Sequence, residues 1–443
     1  MLEFTIDRDD ISLALALLKP AIGRIRYSSY APNTCVHFYT GPCGTLCAAA
    51  SDLETYAHIN LPFCSPTQGL ASTEGLAIPH KALSEWIRSQ PRHGAALRFA
   101  QATPNTIKAE GFATSATFVG WPAEDMPAAK DLPPSFYARR EYHVSPETLS
   151  LALSGCLPCV ARNDPARTLS GILVTNDPEG LAYANANALA FVATDRYRLA
   201  RYLAPSLDTS LVYNDTGIHD TEPFSAIVPG PLATAASKAL AKLKPDDHDH
   251  PPVLAFGRAE DGASWVAISI HKGPASVTYK SQAIVGDYPN WRRVWPSRHG
   301  HTIGIDPFDL RNAVSSVAPA ATANGNKITL CPDGHGHLHI FHASALGETT
   351  SAMITADYFP VGDEPIISVN AQYLLAALKS IPSGVTHITF DYGHPDAPLR
   401  WQTDLGLSGI IMPMASDSQS KDLARRIVDE TTAGMSWNAL SPS

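Results

Sequence analysis

Three places in the sequence combine residue types that do chemistry. Residues 194–198, Thr-Asp-Arg-Tyr-Arg, follow the apolar run Phe191-Val192-Ala193 and set an aspartate beside two arginines. A carboxylate at a strand end next to guanidinium groups can act as a general base, or it can fix a turn in a socket for a partner. Cys156-Leu-Pro-Cys159 has the C-x-x-C spelling of a dithiol redox site, which needs a helix N-terminus behind a strand. Here it follows the helical stripe of 145–155 and falls near a helix end, so packed core thiols are expected. His335, His337 and His339 alternate, and a strand would put all three on one face, as a zinc site requires. The preceding Pro332-Asp333-Gly334 reads instead as a hairpin turn with polar residues toward water. No H-E-x-x-H accompanies it, so a His-site metalloenzyme is the weakest reading and neither metal nor cofactor is expected.

The sequence also lacks a G-x-x-x-x-G-K-[ST] phosphate loop, a G-x-G-x-x-G behind a strand and a G-x-S-x-G elbow. No catalytic activity is expected. The seven cysteines, Cys35, Cys43, Cys47, Cys64, Cys156, Cys159 and Cys331, are odd in number and form no framework, which fits reduced thiols.

The elements that must position these residues repeat. "FTIDRDDISLALALLKP" from Phe4, "YHVSPETLSLALSGCLP" from Tyr142 and "HTIGIDPFDLRNAVSSVAP" from His301 each give a short strand, a capping residue and an apolar helical stripe near a proline. A second trio lies further along: "LAIPHKALSEWIRSQP" from Leu76, "SAIVPGPLATAASKALAKLKP" from Ser225 and "IISVNAQYLLAALKSIP" from Ile366. Each is a strand, a Pro or Asn start, a helix and a proline stop. Alternating runs such as "VHFYTG", "SGILVT", "KITLCP" and "HLHIFH" read as strands between the helices. The units recur at roughly 140–160 residues, too long for a solenoid, and predict three α+β domains of one plan, each with two helices on antiparallel sheet.

At 443 residues the chain is long enough for three such cores, and its 44% hydrophobic content is that of a globular protein. No apolar run is long enough to span a membrane, and "MLEFTIDRDD" has no secretory pattern, so a cytoplasmic location is expected. Net charge is −9, which on its own argues against tight nucleic-acid binding. The predicted helices reverse that sign. With their caps they carry ten cations (Lys19, Lys81, Arg88, Arg92, Arg162, Lys238, Lys242, Lys244, Arg311, Lys379) and six acids (Asp9, Asp10, Glu85, Glu147, Asp306, Asp309), a net of +4. Five of the six acids lie at helix starts, where they complement the helix dipole. Lysine and arginine favour helix C-termini in any case. A mildly basic helical surface would nevertheless hold phosphates weakly and without sequence preference.

Four stretches carry a specific resemblance. "FVATDRYRLA" (191–200), "GDYPNWRRVWP" (286–296), "GIIMPM" (409–414) and "ASDLETYAHINLP" (50–62) are similar, in order and spacing, to segments of the bacterial DNA sliding clamp family, the β subunit of DNA polymerase III. The likeness runs to about residue 415, and the Asp-Arg-Tyr-Arg variant is most similar to actinobacterial clamps. It implies three clamp domains (1–132, 140–297, 299–415), half of a six-domain ring. Two subunits would join head to tail around duplex DNA, helices lining the hole, and tether the replicative polymerase. A separate loader would open the ring.

The resemblance further implies a peptide-binding socket. It would be formed by Leu169, Thr194, Arg196, Tyr197, Arg198 and Leu199, with Pro289, Arg293 and Val294, and with Ile410, Ile411, Met412, Pro413 and Met414. Its implied partners are the DNA polymerase III α-type subunit, the clamp loader, other polymerases, ligase and repair proteins, at the nucleoid and replisome. Asp195 then fixes the turn. Arg24 matches a duplex-contacting arginine, with Arg26, Arg162 and Arg167 as neighbours and Lys81, Arg88, Lys238, Lys242, Arg311 and Lys379 as further DNA-facing residues. The rival in a different class is a scaffold or spare clamp copy that keeps the socket but does not tether DNA.

Two departures stand out. Arg196-Tyr197 replaces the Gly-His of many clamps, making the socket mouth bulkier and more cationic. Residues 416–443 run past the usual end. They are expected to be a flexible extension. Leu423 and Ile427 fall on one face of a short helix that would fold over the socket and compete with partner peptides.

Overall fold

The computed structural model describes residues 2–23, 31–41, 45–61, 65–66, 75–92, 94–122, 136–177, 189–205, 209–214, 223–243, 250–259, 261–272, 275–296, 300–344, 347–359, 366–416, 418, 420–426 and 429. Six α-helices of ten or more residues among them fall where the caps and prolines put them. They are α1 (Arg8–Leu18), α2 (His80–Ser89), α3 (Pro146–Cys156), α4 (Gly230–Leu243), α5 (Pro307–Val317) and α6 (Ala371–Ser380).

The start signals act as read. Asp7 accepts from the Asp9 amide, Ser145 Oγ from the Thr148 amide at 3.1 Å, Asp306 from the Phe308 and Asp309 amides, and Asn370 from the Gln372 and Tyr373 amides. Each satisfies N–H groups that a helix start leaves without partners. The stops act too. Helices α1, α2, α5 and α6 end two residues before Pro20, Pro91, Pro319 and Pro382, and α3 gives way at Leu157–Cys159 to a 3-10 turn that contains Pro158.

The chain divides into two compact units: Met1–Ser150 with Ala182–Ala188 and Ser206–Gly286, and Leu151–Leu181 with Leu189–Pro205 and Asp287–Ser443. In the first unit a five-stranded antiparallel sheet runs Ser65–Pro66, Glu3–Asp7, Ala96–Thr103, Thr106–Gly111, Thr114–Val119. A ten-stranded sheet runs Trp121–Pro122, Gly75–Pro79, Cys35–Thr40, Leu46–Ser51, Thr55–Leu61, Ala275–Gln282, Ser264–Lys272, Val253–Ala259, Phe136–Val144, Thr209–Asn214. Helices α1 and α2 pack on each other, and α4 lies on Ser264–Lys272 and Ala275–Gln282. The α4 stripe Leu232, Ala233, Ala236, Ala239, Leu240, Leu243 is buried at the 3–4 spacing of one helix face.

In the second unit one sheet contains, in order, Gly171–Thr175, Ala190–Thr194, Arg198–Leu203, Leu407–Ile411, Leu399–Gln402, Ile388–Tyr392, His301–Ile305 and Asp357–Phe359. A four-stranded sheet runs Thr349–Thr355, His337–Ala343, Lys327–Pro332, Ile367–Asn370. Helices α5 and α6 pack on each other, and α5 lies against Thr349–Thr355. They bury Leu310, Val314 and Val317, and Leu374 and Leu378. Each such leucine is worth roughly 1.5–3 kcal/mol against exposure. The fold is therefore α+β, with paired helices on antiparallel sheets, as the sequence implies.

The C-terminal extension differs from expectation where it is described. Residues 420–426 are helical, and Ala424 and Ser420 are buried rather than free in solvent. Ala424 and Leu423 pack on Cys331, Phe341 and Ile366. A short helix gains most of its stability from packing an apolar face, and this contact supplies it. Ile427 lies outside the described residues. Among those residues, no helix is long and apolar enough to cross a membrane.

Candidate functional site

Strand Arg198–Leu203 pairs on one side with Ala190–Thr194 and on the other with Leu407–Ile411, in a register that sets Arg198 opposite Ile411 and Leu199 opposite Ile410. Two segments more than two hundred residues apart thus become one floor. The turn at 194–198 is closed by its own polar groups. Asp195 Oδ1 accepts from the Tyr197 and Arg198 amides at 3.1 and 3.0 Å, and Asp195 Oδ2 pairs with Arg198 Nε at 2.9 Å. Thr194 Oγ1 donates to the Arg198 carbonyl at 2.8 Å and accepts from the Arg196 amide at 3.2 Å. The Thr194 amide donates to the Tyr288 hydroxyl at 3.1 Å. With both oxygens of Asp195 occupied in this way, the carboxylate is a turn-former here.

Beside the turn is a shallow cleft, about 230 Å³ of empty space counting open solvent, lined by Gly155, Pro158, Cys159, Arg198, Leu199, Tyr373, Ala377, Trp401, Ile410 and Ile411. Its walls are mostly apolar. The Arg198 guanidinium lies 4.6 Å from the Tyr373 ring centre, and the Tyr197 ring stacks on Tyr373 at 6.3 Å. Tyr197 is 61% exposed, so this aromatic pair forms an accessible rim. Burial pushes the Cys159 thiol up to about 12, which removes the thiolate a redox role requires. All five described cysteines are buried; Cys43 and Cys64 lie outside the described residues. Apolar walls with a cationic, aromatic rim suit recognition of an apolar segment.

The expected socket residues fall into three groups. Arg198, Leu199, Ile410 and Ile411 line the cleft. Tyr197 and Met412 adjoin it, the Met412 amide donating to the Tyr197 carbonyl at 2.8 Å, while Pro413 and Met414 follow in the chain and are not among the lining residues. Leu169 is buried beneath the surface, Thr194 serves the turn, and Arg196 reaches away to Asp164 Oδ1 at 2.9 Å. Pro289, Arg293 and Val294 are exposed on a segment held down by its tryptophans. The Arg201 guanidinium lies 4.1 Å from the Trp295 ring and 5.7 Å from Trp291, a cation–π clasp on the strand Arg198–Leu203.

The sequence reading missed Gly155, Pro158, Cys159, Tyr373, Ala377 and Trp401. The signal available was the helix start Asn370, which places Tyr373 and Ala377 four residues apart on one face of α6.

Among the expected DNA-facing residues, Lys81, Arg88, Arg162, Arg167, Lys238, Lys242 and Lys379 are exposed and Arg311 is half-buried. None of the eight forms an ion pair with a described carboxylate. Arg24 and Arg26 lie outside the described residues. His337 Nδ1 and His339 Nε2 stand 3.1 and 3.4 Å from Asp333 Oδ2, and no described group of three such side chains is arranged to hold a metal.

No protein-family model matches the sequence. Curated relatives are similar at low identity. The β sliding clamp of Staphylococcus epidermidis is 22% identical over 52% of this chain and 54% of its own length, so the match spans about half of that relative. The β sliding clamp of Synechocystis is 23% identical over 67% and 69%. Solved structures match more completely. The DNA polymerase III subunit beta sliding clamp of Bartonella birtlesii superposes with a TM-score of 0.74 at 18% identity, and the DNA polymerase sliding clamp of Bacillus subtilis with 0.73 at 16%. Each covers 94% of this chain and 100% of the solved one. The chain has the fold of the bacterial DNA polymerase III β sliding clamps and resembles them in sequence.

Proposed function

We propose that this protein is a sliding clamp: two copies joined head to tail in a closed ring around duplex DNA, tethering the replicative polymerase without catalysing a reaction. The three domains would span 1–132, 140–297 and 299–415. The observation that carries the reading is the set of eight cations, most on helices, that have no described ion-pair partner within a chain of net charge −9. Such groups attract phosphate, and phosphate contacts carry no sequence information, which allows movement along the duplex.

Two sheet edges that are unpaired among the described residues support closure. Thr114–Val119 ends the five-stranded sheet of the first unit, and Thr349–Thr355 ends the four-stranded sheet of the second. An unpaired edge is a template for another chain, and a head-to-tail pairing of unlike edges closes into a ring when its rotation permits. Exposed Val119 and Met353 lie on these two strands. The cleft at Arg198 and Tyr373 would take short peptides of the DNA polymerase III α-type subunit, the clamp loader, other polymerases, ligase and repair proteins. The cytoplasm, at the replisome, is the place of action this implies.

The test is topological. After loading, the protein should stay on nicked circular DNA and leave when the circle is cut, and its mass in solution should be twice that of one chain. A scaffold or spare copy that does not encircle DNA would show no dependence on linearisation. Lys238→Glu with Lys242→Glu should weaken retention and flatten its salt dependence.

A further inference from the structure

The C-terminal extension runs over one face of the four-stranded sheet. Thr329, Cys331, Phe341 and Ser368 share that face by strand alternation and register. The chain leaves strand Leu407–Ile411 and is pinned step by step. The Met412 amide donates to the Tyr197 carbonyl, and the Met414 amide to the Ser368 carbonyl at 2.7 Å. Ser416 Oγ then shares a hydrogen bond with Ser368 Oγ at 2.9 Å, which shares another with Thr329 Oγ1 at 2.8 Å. Beyond this the helix at 420–426 seats Ala424, 3% exposed, on Cys331 and Phe341, with Leu423 alongside.

We infer that the extension is a positioning element: it anchors the far end of segment 412–416, and so holds both the methionine-bearing border of the cleft and the turn that presents Tyr197. This rests on the reading of the cleft as a peptide site. Segment 412–416 has no strand partner of its own among the described residues; two backbone hydrogen bonds and one hydroxyl contact fix it. Without the helix behind it, its outer end is free to fray, as unanchored chain ends do. The seated position also opposes the competitor role expected from the sequence, because the apolar face of 420–426 is already covered by the sheet.

The experiment compares the full chain with a chain ending at Ser416 and with full-length Ala424→Glu, which leaves the length intact. Three readouts are taken. The first is hydrogen exchange of the peptide covering 407–416. The second is maleimide labelling of Cys331, located by mass. The third is affinity for a fluorescein-labelled peptide copied from the clamp-binding segment of a bacterial DNA polymerase III α subunit. In both variants the Met412 and Met414 amides should exchange on the order of tenfold faster and Cys331 should become reactive. Peptide affinity should fall roughly three- to tenfold, mostly through faster dissociation. Unchanged exchange at 407–416 overturns the inference, and so does tighter peptide binding, which would make the extension a competitor. If the intact chain binds no peptide, the reading of the cleft fails, while the exchange result still decides whether the extension anchors the segment.

Discussion

Asp195 and Asp333 each close a turn between antiparallel strands of the second unit, one joining Ala190–Thr194 to Arg198–Leu203, the other Lys327–Pro332 to His337–Ala343. Asp195 accepts from two backbone amides and from Arg198 Nε. Asp333 accepts from the His335 and His337 amides at 2.7 and 3.1 Å and from the His337 and His339 rings. The chemistry is nearly the same, but the surroundings differ. The side chain of Asp333 is 0% exposed, and its turn uses glycine wherever φ is positive, at Gly334 (76°) and Gly336 (95°). The Asp195 turn opens on the cleft and places Arg196, not glycine, at φ 78°. A turn built only for structure follows backbone preference. A turn that presents side chains accepts strain to do so.

The largest expected effect comes from the buried member. Asp333→Ala leaves two amides and two imidazoles without their acceptor, at a cost of ~3 kcal/mol in chemical denaturation. Peptide binding at the cleft should be unchanged in the folded variant. A loss below ~1 kcal/mol would mean that solvent replaces the carboxylate and that its burial is not structural.

Acid should act through the same group. Burial raises the Asp333 pKa, but the four hydrogen bonds lower it by more, and the net is a carboxyl held below its ordinary range. Its folded pKa is below the unfolded value, so the stability it contributes is full above the unfolded pKa, ~3.9. That contribution is lost as pH falls through the lower folded value. Asp333→Asn should flatten the acid limb of a stability–pH curve and leave the curve above pH ~5 unchanged in slope. An acid limb of unchanged steepness would assign it to other groups.

Asp195→Ala should cost less, ~2 kcal/mol, because its partners are nearer to water. Its effect on the cleft should be greater. Arg198 loses the carboxylate that holds its guanidinium over Tyr373, so peptide affinity should fall at least tenfold, read by fluorescence anisotropy. If the Asp333 and Asp195 variants lose peptide equally, the two turns do not differ in role.

The same contrast explains what the sequence revealed. Local signals were legible: the caps at Asp7, Ser145, Asp306 and Asn370, the proline stops, and strands such as Lys327–Pro332, whose alternating sequence marks a strand although all six residues are buried. Each depends on residues within a few positions of one another. The floor of the cleft was legible only through the resemblance carried by 191–200 and 409–414. The Asn370 helix start marks the face that carries Tyr373 but not what that face meets, and Trp401 was not legible at all, because strand order brings it to Arg198 and no local pattern marks it. The seat of 420–426 was missed for a related reason. Leu423 and Ala424 are too small an apolar stripe to read against chain entropy, and the apolar surface that receives them belongs to strands some eighty residues earlier.

The smallest effect is the sharpest test of the contrast, because opposing terms nearly cancel. Holding a non-glycine residue in the left-handed region costs ~1–2 kcal/mol. At Arg196 that cost is offset in part by the ion pair with Asp164, whose arginine side chain is 59% exposed, so the pair contributes ~0.2–1 kcal/mol and less in salt. Arg196→Gly removes both terms and adds glycine's extra unfolded-chain entropy, ~0.5–1 kcal/mol against the variant, which brings the sum near zero. At low ionic strength the variant should lie within ~0.5 kcal/mol of the parent, and in 1 M salt it should be the more stable of the two, because screening removes the pair from the parent while the strain remains. Gly334→Ala gives the control: it introduces strain with no ion pair and should cost ~1 kcal/mol at every salt concentration. Peptide affinity separates the roles. Arg196→Gly frees the turn that presents Tyr197 and should lower affinity even where it raises stability, whereas Gly334→Ala should not change affinity.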